Sequence, residues 1–175
     1  MAALKKWLKK EPWTKTQPLT LINTSQCCLP VYVPRKDMVY YFTNYENNNE
    51  IGVIVNDLKH GKWNKIKSYP KDVKVYDSTA AFDKVKDVIY IYGGSYTVFL
   101  AYYIKDNRFE TIVRNESDKA NINKFNIGRF PSSIIINSTL HVIGGEENNF
   151  HFTLDLNSKP NYKFIVQAVI PGSKS

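Results

Sequence analysis

The chain has 175 residues, a formal net charge of +8 and 14% aromatic residues, 12 of them Tyr. No run of eighteen apolar residues occurs, which excludes an apolar membrane span, and the two cysteines, Cys27 and Cys28, are adjacent, which excludes a disulfide framework. One domain with a real hydrophobic core is expected. With no apolar signal core near Met1, the expected setting is the reducing cytoplasm.

The first twelve residues differ from the rest. Leu4, Trp7 and Leu8 share one helical face, with Lys5, Lys6, Lys9 and Lys10 around it, and Pro12 stops the helix. Such a basic amphipathic segment could lie on an anionic surface or dock on a partner. Its shortness favours a frayed tail packed on the main domain. Residues 13–25 contain Trp13 and Leu19-Thr20-Leu21-Ile22, which read as one extended strand.

Three units follow. The first, 26–75, has predicted strands at 27–33, 38–43, 51–56 and 63–67. The second, 76–126, has them near 78–83, 87–92, 98–104 and 109–113. The third, 127–170, has them at 132–136, 139–143, 150–154 and 162–166, before a short tail, 171–175.

The second strand of each unit sets the pattern. Val88-Ile89-Tyr90-Ile91-Tyr92 is apolar without a break and ends in Gly93-Gly94. Leu140-His141-Val142-Ile143 ends in Gly144-Gly145, so the leading glycines stand 51 positions apart. An imperfect copy, Val39-Tyr40-Tyr41-Phe42, ends in Thr43-Asn44. An unbroken apolar run predicts a strand covered on both faces. The paired glycines predict a sharp exit from that strand, because glycine accepts positive φ and close backbone approach. In the first copy Asn44 is expected to hold the turn under some strain. Each third strand then meets an Asp-led polar turn, at Asp57, Asp106 and Asp155, and an aromatic opens the next strand.

This order resembles the kelch repeat. Gly93-Gly94 with Tyr102 or Tyr103, Gly144-Gly145, Asp57 and Trp63 carry the match over roughly residues 26–170, and Phe109 and Tyr162 stand where the repeat has its Trp. Arg129-Phe130-Pro131 opens the third unit as kelch blades often open. The resemblance implies an all-β fold, a kelch-like β-propeller segment of about three four-stranded antiparallel blades. Residues 13–25 would then be a strand of a neighbouring blade. Since closed propellers have four to eight blades, three blades imply an open arc rather than a closed ring. An ordinary all-β sandwich is the competing architecture.

No catalytic constellation emerges. His60 falls in a hairpin turn, where exposure is expected, and His141 falls inside an apolar run, where a satisfied core histidine is expected. No histidine pair has helical metal-ligand spacing, and no phosphate loop follows Gly93-Gly94. Cys27 and Cys28 lack the second pair that a soft metal would need, and read as buried small residues. The expectation is therefore a non-enzyme with no cofactor and no metal.

The loops after the glycines are the candidate partner-binding surface: Tyr45 and Glu46, Ser95 and Tyr96, Glu146 and Glu147. By the resemblance they gather on one rim. The favoured reading is a protein–protein interaction module with an unknown protein partner, open to self-association that covers its blade edges. A basic nucleic-acid or anionic-surface binder is the alternative, but lysine is spread along the whole chain, as on a solvated surface. A remnant of a sugar-oxidase or epimerase propeller is the third reading, and it would need polar ligands converging at a ring centre.

Overall fold

The computed structural model describes residues 29–43, 52–70, 73, 75, 77–93, 98–112, 130–145, 150–159, 162 and 164–169. The amphipathic N-terminal segment, the 13–25 strand, Cys27, Cys28, the turn at Asn44, Arg129 and the tail lie outside the described residues. Among the described residues the fold is all-β, with a single 3-10 turn at Pro34–Lys36.

Twelve strands form three antiparallel sheets in chain order. The first sheet is β1 (Leu29–Val33), β2 (Met38–Thr43), β3 (Gly52–Asp57) and β4 (Lys62–Ser68). The second is β5 (Ser78–Asp83), β6 (Val88–Gly93), β7 (Val98–Tyr103) and β8 (Arg108–Thr111). The third is β9 (Ser132–Ile136), β10 (Thr139–Ile143), β11 (Phe150–Asp155) and β12 (Phe164–Val169). All three are plain meanders, each strand pairing with the next. The predicted strands fall on these within one or two residues at each end, except that β12 ends at Val169, three residues beyond the predicted end at Val166.

The sheets stack side by side as an open arc. The leading strands are neighbours, β1 beside β5 and β5 beside β9. One core cluster joins the first sheet (Val31, Val33, Tyr40, Phe42, Val53, Val55) to the second (Ile89, Ile91, Leu100, Tyr102). The other joins the second sheet (Val88, Tyr90, Tyr92, Phe99) to the third (Leu140, Val142, Phe152, Leu154). Alternate residues of β6 therefore enter different cores, and the strand is buried along its whole length. That is the physical reason for its unbroken apolar sequence: side chains alternate sides, and both sides are dry.

The three units share one backbone device that no side-chain motif announced. Asp37, Asp87 and Ser138, just ahead of the second strand of each sheet, all have positive φ, at 52°, 58° and 58°. Each carbonyl accepts a hydrogen bond from the residue that follows the third strand. Leu58 donates to Asp37 at 3.0 Å, Ile104 to Asp87 at 3.4 Å and Leu156 to Ser138 at 2.9 Å. Short polar side chains tolerate the left-handed region better than most, so three such residues at matched places pin the third strand to the turn beside it.

Polar contacts cross both joints. At the first, Arg35 pairs with Asp87, and Asn107 Nδ2 donates to the Ile66 carbonyl at 3.4 Å. At the second, the Thr79 and Ser133 hydroxyls lie 2.8 Å apart, and Lys86 Nζ donates to the Leu156 carbonyl at 2.8 Å. Lys159 Nζ reaches Glu110 Oε1 at 2.7 Å, while the Tyr103 hydroxyl donates to Glu110 Oε2 at 3.0 Å. Burial alone would raise the Glu110 pKa, but the bonds from Lys159 and Tyr103 hold it below its ordinary value.

Candidate interaction surface

Each sheet has a forward face, towards the next unit, and a rear face, towards the one before. The pairing register makes the forward faces comparable. In the first sheet Val31, Tyr40 and Val55 lie opposite one another across three strands. In the second the same row is Ala81, Tyr90 and Ala101. In the third it is Ile134, His141 and Thr153, and β12 adds Ile165. The next row is Leu29, Phe42 and Val53, then Thr79, Tyr92 and Phe99, then Ser132, Ile143 and His151.

Equivalent positions have opposite surroundings. Tyr40 and Tyr90 are each 3% exposed because a following sheet covers them. On the third sheet Ile134 is 53% exposed, Ile136 49%, Ile143 39% and Ile165 55%. Four large aliphatic side chains thus share one side of a single sheet. Single apolar residues are normal on a surface, but four on one sheet face, with His141 and Thr153 standing between Ile134 and Ile165, make this face the candidate interaction site.

The expectation of a core histidine at His141 is corrected here. Its ring is half-buried and stands on this open face, because among the described residues only the other side of the third sheet is covered by a neighbouring sheet. The leading polar residue of each pair in Thr139-Leu140-His141-Val142 already alternates as a one-sided strand does, a signal that the paired glycines overshadowed. His141 also has a partner that sequence spacing did not suggest. Its Nδ1 lies 3.1 Å from Nε2 of His151 on the adjacent strand, and the rings stack with centroids 5.3 Å apart. A neutral pair satisfies this contact, one ring donating and the other accepting. Burial, and secondly the charge of His151, push the His141 pKa below its usual 6.5.

A stability prediction follows from that direction. A depressed imidazole pKa leaves stability intact above about 6.5 and removes it as pH falls through the folded value. Asp57, bonded by His60, and Glu110 are held below their ordinary 3.8 and 4.5, so their contributions are lost only in stronger acid. The melting temperature should therefore fall between about pH 7 and pH 5, and His141→Gln should flatten that part of the curve. A wild-type melting temperature unchanged across this window would refute the coupling.

The remaining sequence-predicted positions divide into three groups. The loop residues Tyr45, Glu46, Ser95, Tyr96, Glu146 and Glu147, and also Gly94, lie outside the described residues. Gly93 and Gly144 both have positive φ, at 88° and 71°. A Cβ added at Gly93 would stand 3.2 Å from Cγ of Pro131, at the entrance to the third sheet, whereas one at Gly144 would meet nothing within 4 Å. Gly93 thus gives the following unit room, and at Gly144 no following unit is present among the described residues. Gly145 extends the exit with φ 133°.

The aromatic and acidic motif positions are structural. Asp57 accepts a backbone bond from His60 at 3.1 Å, and its other oxygen lies 2.7 Å from the exposed His60 ring. Asp155 accepts from the Asn157 backbone at 2.9 Å. Asp83, unremarked in the sequence, does the same for Val85 and Lys86. Trp63, opposite Asn56, and Phe109, opposite Tyr102, occupy equivalent rear-face positions. Phe109 is packed in the first joint, with Tyr102 at 4.9 Å. Trp63 packs on Tyr41 at 5.1 Å, on the rear face of the first sheet. Tyr162 meets Phe99 at 5.9 Å, and Tyr103 belongs to the Glu110 cluster.

Fold and surface together define an all-β protein, three four-stranded antiparallel sheets in an open arc with exposed isoleucines on its forward end. No protein-family model matches the chain, and no curated protein matches it significantly. Among the described residues, no group of three or more His, Cys, Asp or Glu side chains could hold a metal, and no helix is long and apolar enough to cross a membrane.

Proposed function

We propose that the chain is a non-catalytic protein-interaction module, a segment of a kelch-like β-propeller that engages a protein partner. The supporting observation is the forward face of the third sheet, where Ile134, Ile136 and Ile143 are exposed at positions whose counterparts in the other two sheets are buried, and where Ile165 on β12 is exposed as well. Burying such side chains drives association without any need for charge. The kelch likeness adds the loops at Tyr45, Tyr96 and Glu146 as a rim beside this face. A cytoplasmic setting suits a sequence whose two cysteines, Cys27 and Cys28, are adjacent and so offer no disulfide framework.

Affinity capture tests the reading. Immobilised chain should recover a partner, and Ile134→Lys with Ile165→Lys, or Glu146→Lys with Glu147→Lys, should reduce that recovery at least about tenfold. Recovery unchanged in both double variants, and at Tyr45→Ala and Tyr96→Ala, would reject it. Generic RNA in a salt series separates this from the basic-surface reading, which demands binding that weakens steeply as salt rises.

A further inference from the structure

We infer that a second copy of this chain covers the open face, laying the rear face of its first sheet on the forward face of the third. The inference rests on the interaction-module reading and names the occupant.

Both internal joints obey one rule: the forward face of one sheet meets the rear face of the next. The chain begins with a rear face that no described sheet covers and ends with a forward face that none covers. One chain therefore carries both halves of a missing joint. The rear half consists of Tyr32, Val39, Tyr41, Ile54 and Trp63, which share one side of the first sheet by register. Tyr32 is 49% exposed, and Val39, Tyr41, Ile54 and Trp63 are half-exposed.

The chemistry of the halves matches the existing joints. Branched aliphatic and aromatic side chains oppose each other in both cores, and the new joint would oppose isoleucines with Tyr32, Tyr41 and Trp63. The open space at Gly144 supplies the second, independent sign. At its counterpart Gly93 an added Cβ would stand 3.2 Å from Pro131 at the entrance of the next sheet, so the backbone at Gly144 is shaped for a neighbour that no described sheet supplies.

Two copies close the arrangement. A head-to-tail contact forms a ring if its rotation closes and a fibre if it does not. Twice the three described sheets falls inside the range of about four to eight at which radial stacks of four-stranded sheets close. Each copy carries a net charge of +8. Added salt should screen their repulsion and strengthen the pair rather than weaken it.

Sedimentation of the full chain decides the matter. A species of twice 20.2 kDa is expected. Ile134→Lys with Ile165→Lys on the forward face, and Tyr32→Lys on the rear face, should each weaken it at least about tenfold. All three sites are exposed, and an unchanged circular dichroism spectrum verifies folding. Mixing the two variants should restore a heterodimer, because one joint between them is intact. A dimer that withstands Tyr32→Lys would overturn the inference in favour of forward-to-forward pairing. So would a monomer at every concentration up to about 0.1 mM. If that monomer still recovers a protein through Ile134 and Ile165, the second copy is rejected while the interaction module stands. If it recovers nothing, both fall.

Discussion

Phe99→Ala is expected to lower the unfolding free energy by about 3–5 kcal/mol, the range for truncating a buried aromatic side chain. Phe99 is 1% exposed on the forward side of β7. Its ring centroid lies 5.3 Å from Tyr92 and 6.3 Å from Tyr90 within the second sheet. Across the joint it lies 5.9 Å from Tyr162, and Tyr92 continues the contact to Phe152 at 5.1 Å. Removing the ring therefore takes the centre out of an aromatic chain that links two sheets. The surrounding strands are hydrogen-bonded on both sides and cannot collapse into the space, which places the cost towards the upper part of the range. Urea unfolding followed by circular dichroism measures it. A loss below about 1 kcal/mol would mean that Phe99 is not packed as described.

Tyr102→Ala should cost a similar amount, about 3–5 kcal/mol, at the opposite joint. Tyr102 projects from the rear side of the same strand. Its centroid lies 4.9 Å from Phe109, 5.9 Å from Phe42 and 6.1 Å from Tyr40, so it is the ring on which the first two sheets meet. Its hydroxyl donates to Asn107 Oδ1 at 3.0 Å. Tyr102→Phe keeps the ring and removes only that bond, and should cost about 0.5–1.5 kcal/mol. The difference between the two substitutions separates packing from hydrogen bonding. Equal losses for both would show that the hydroxyl, not the ring, holds the joint. Each core lies between two successive sheets, so each sheet is stabilised through its neighbours. Both substitutions should therefore broaden the transition or split it, since each weakens one joint while leaving the other whole.

Strand placement was legible because the local signals agree. Val, Ile and Tyr runs end at Gly93, Gly144 or a polar turn, and side chains at Asp57 and Asp155 close those turns by bonding their own backbone. The spacing of about fifty positions between copies also reads directly as a structural repeat. The exit at Thr43 differs from that of its copies in lacking the positive φ seen at Gly93 and Gly144. Its hydroxyl instead donates to the Gly52 carbonyl at 3.2 Å across to the next strand.

The surface was less legible. Ile134 and Ile136 look like core residues in a list of amino acids, because hydrophobicity does not record whether a neighbouring sheet exists. The His141–His151 contact joins residues ten apart on paired strands, a separation set by the length of the intervening loop rather than by any motif. Glu110 gathers Tyr103, Arg108 and Lys159, and only the stacking of the second and third sheets brings Lys159 within reach of the other three.

What this amino-acid order determines unaided is local: which stretches extend, where they turn, and that the pattern recurs three times. Alternation along a strand and the backbone preferences of Gly, Asn and Asp act over a few residues, so they can be read from the chain itself. The tertiary structure alone decides which side of each sheet is dry. That depends on what stacks against it, and the same apolar strand becomes a double-sided core in β6 and a half-open surface in β10.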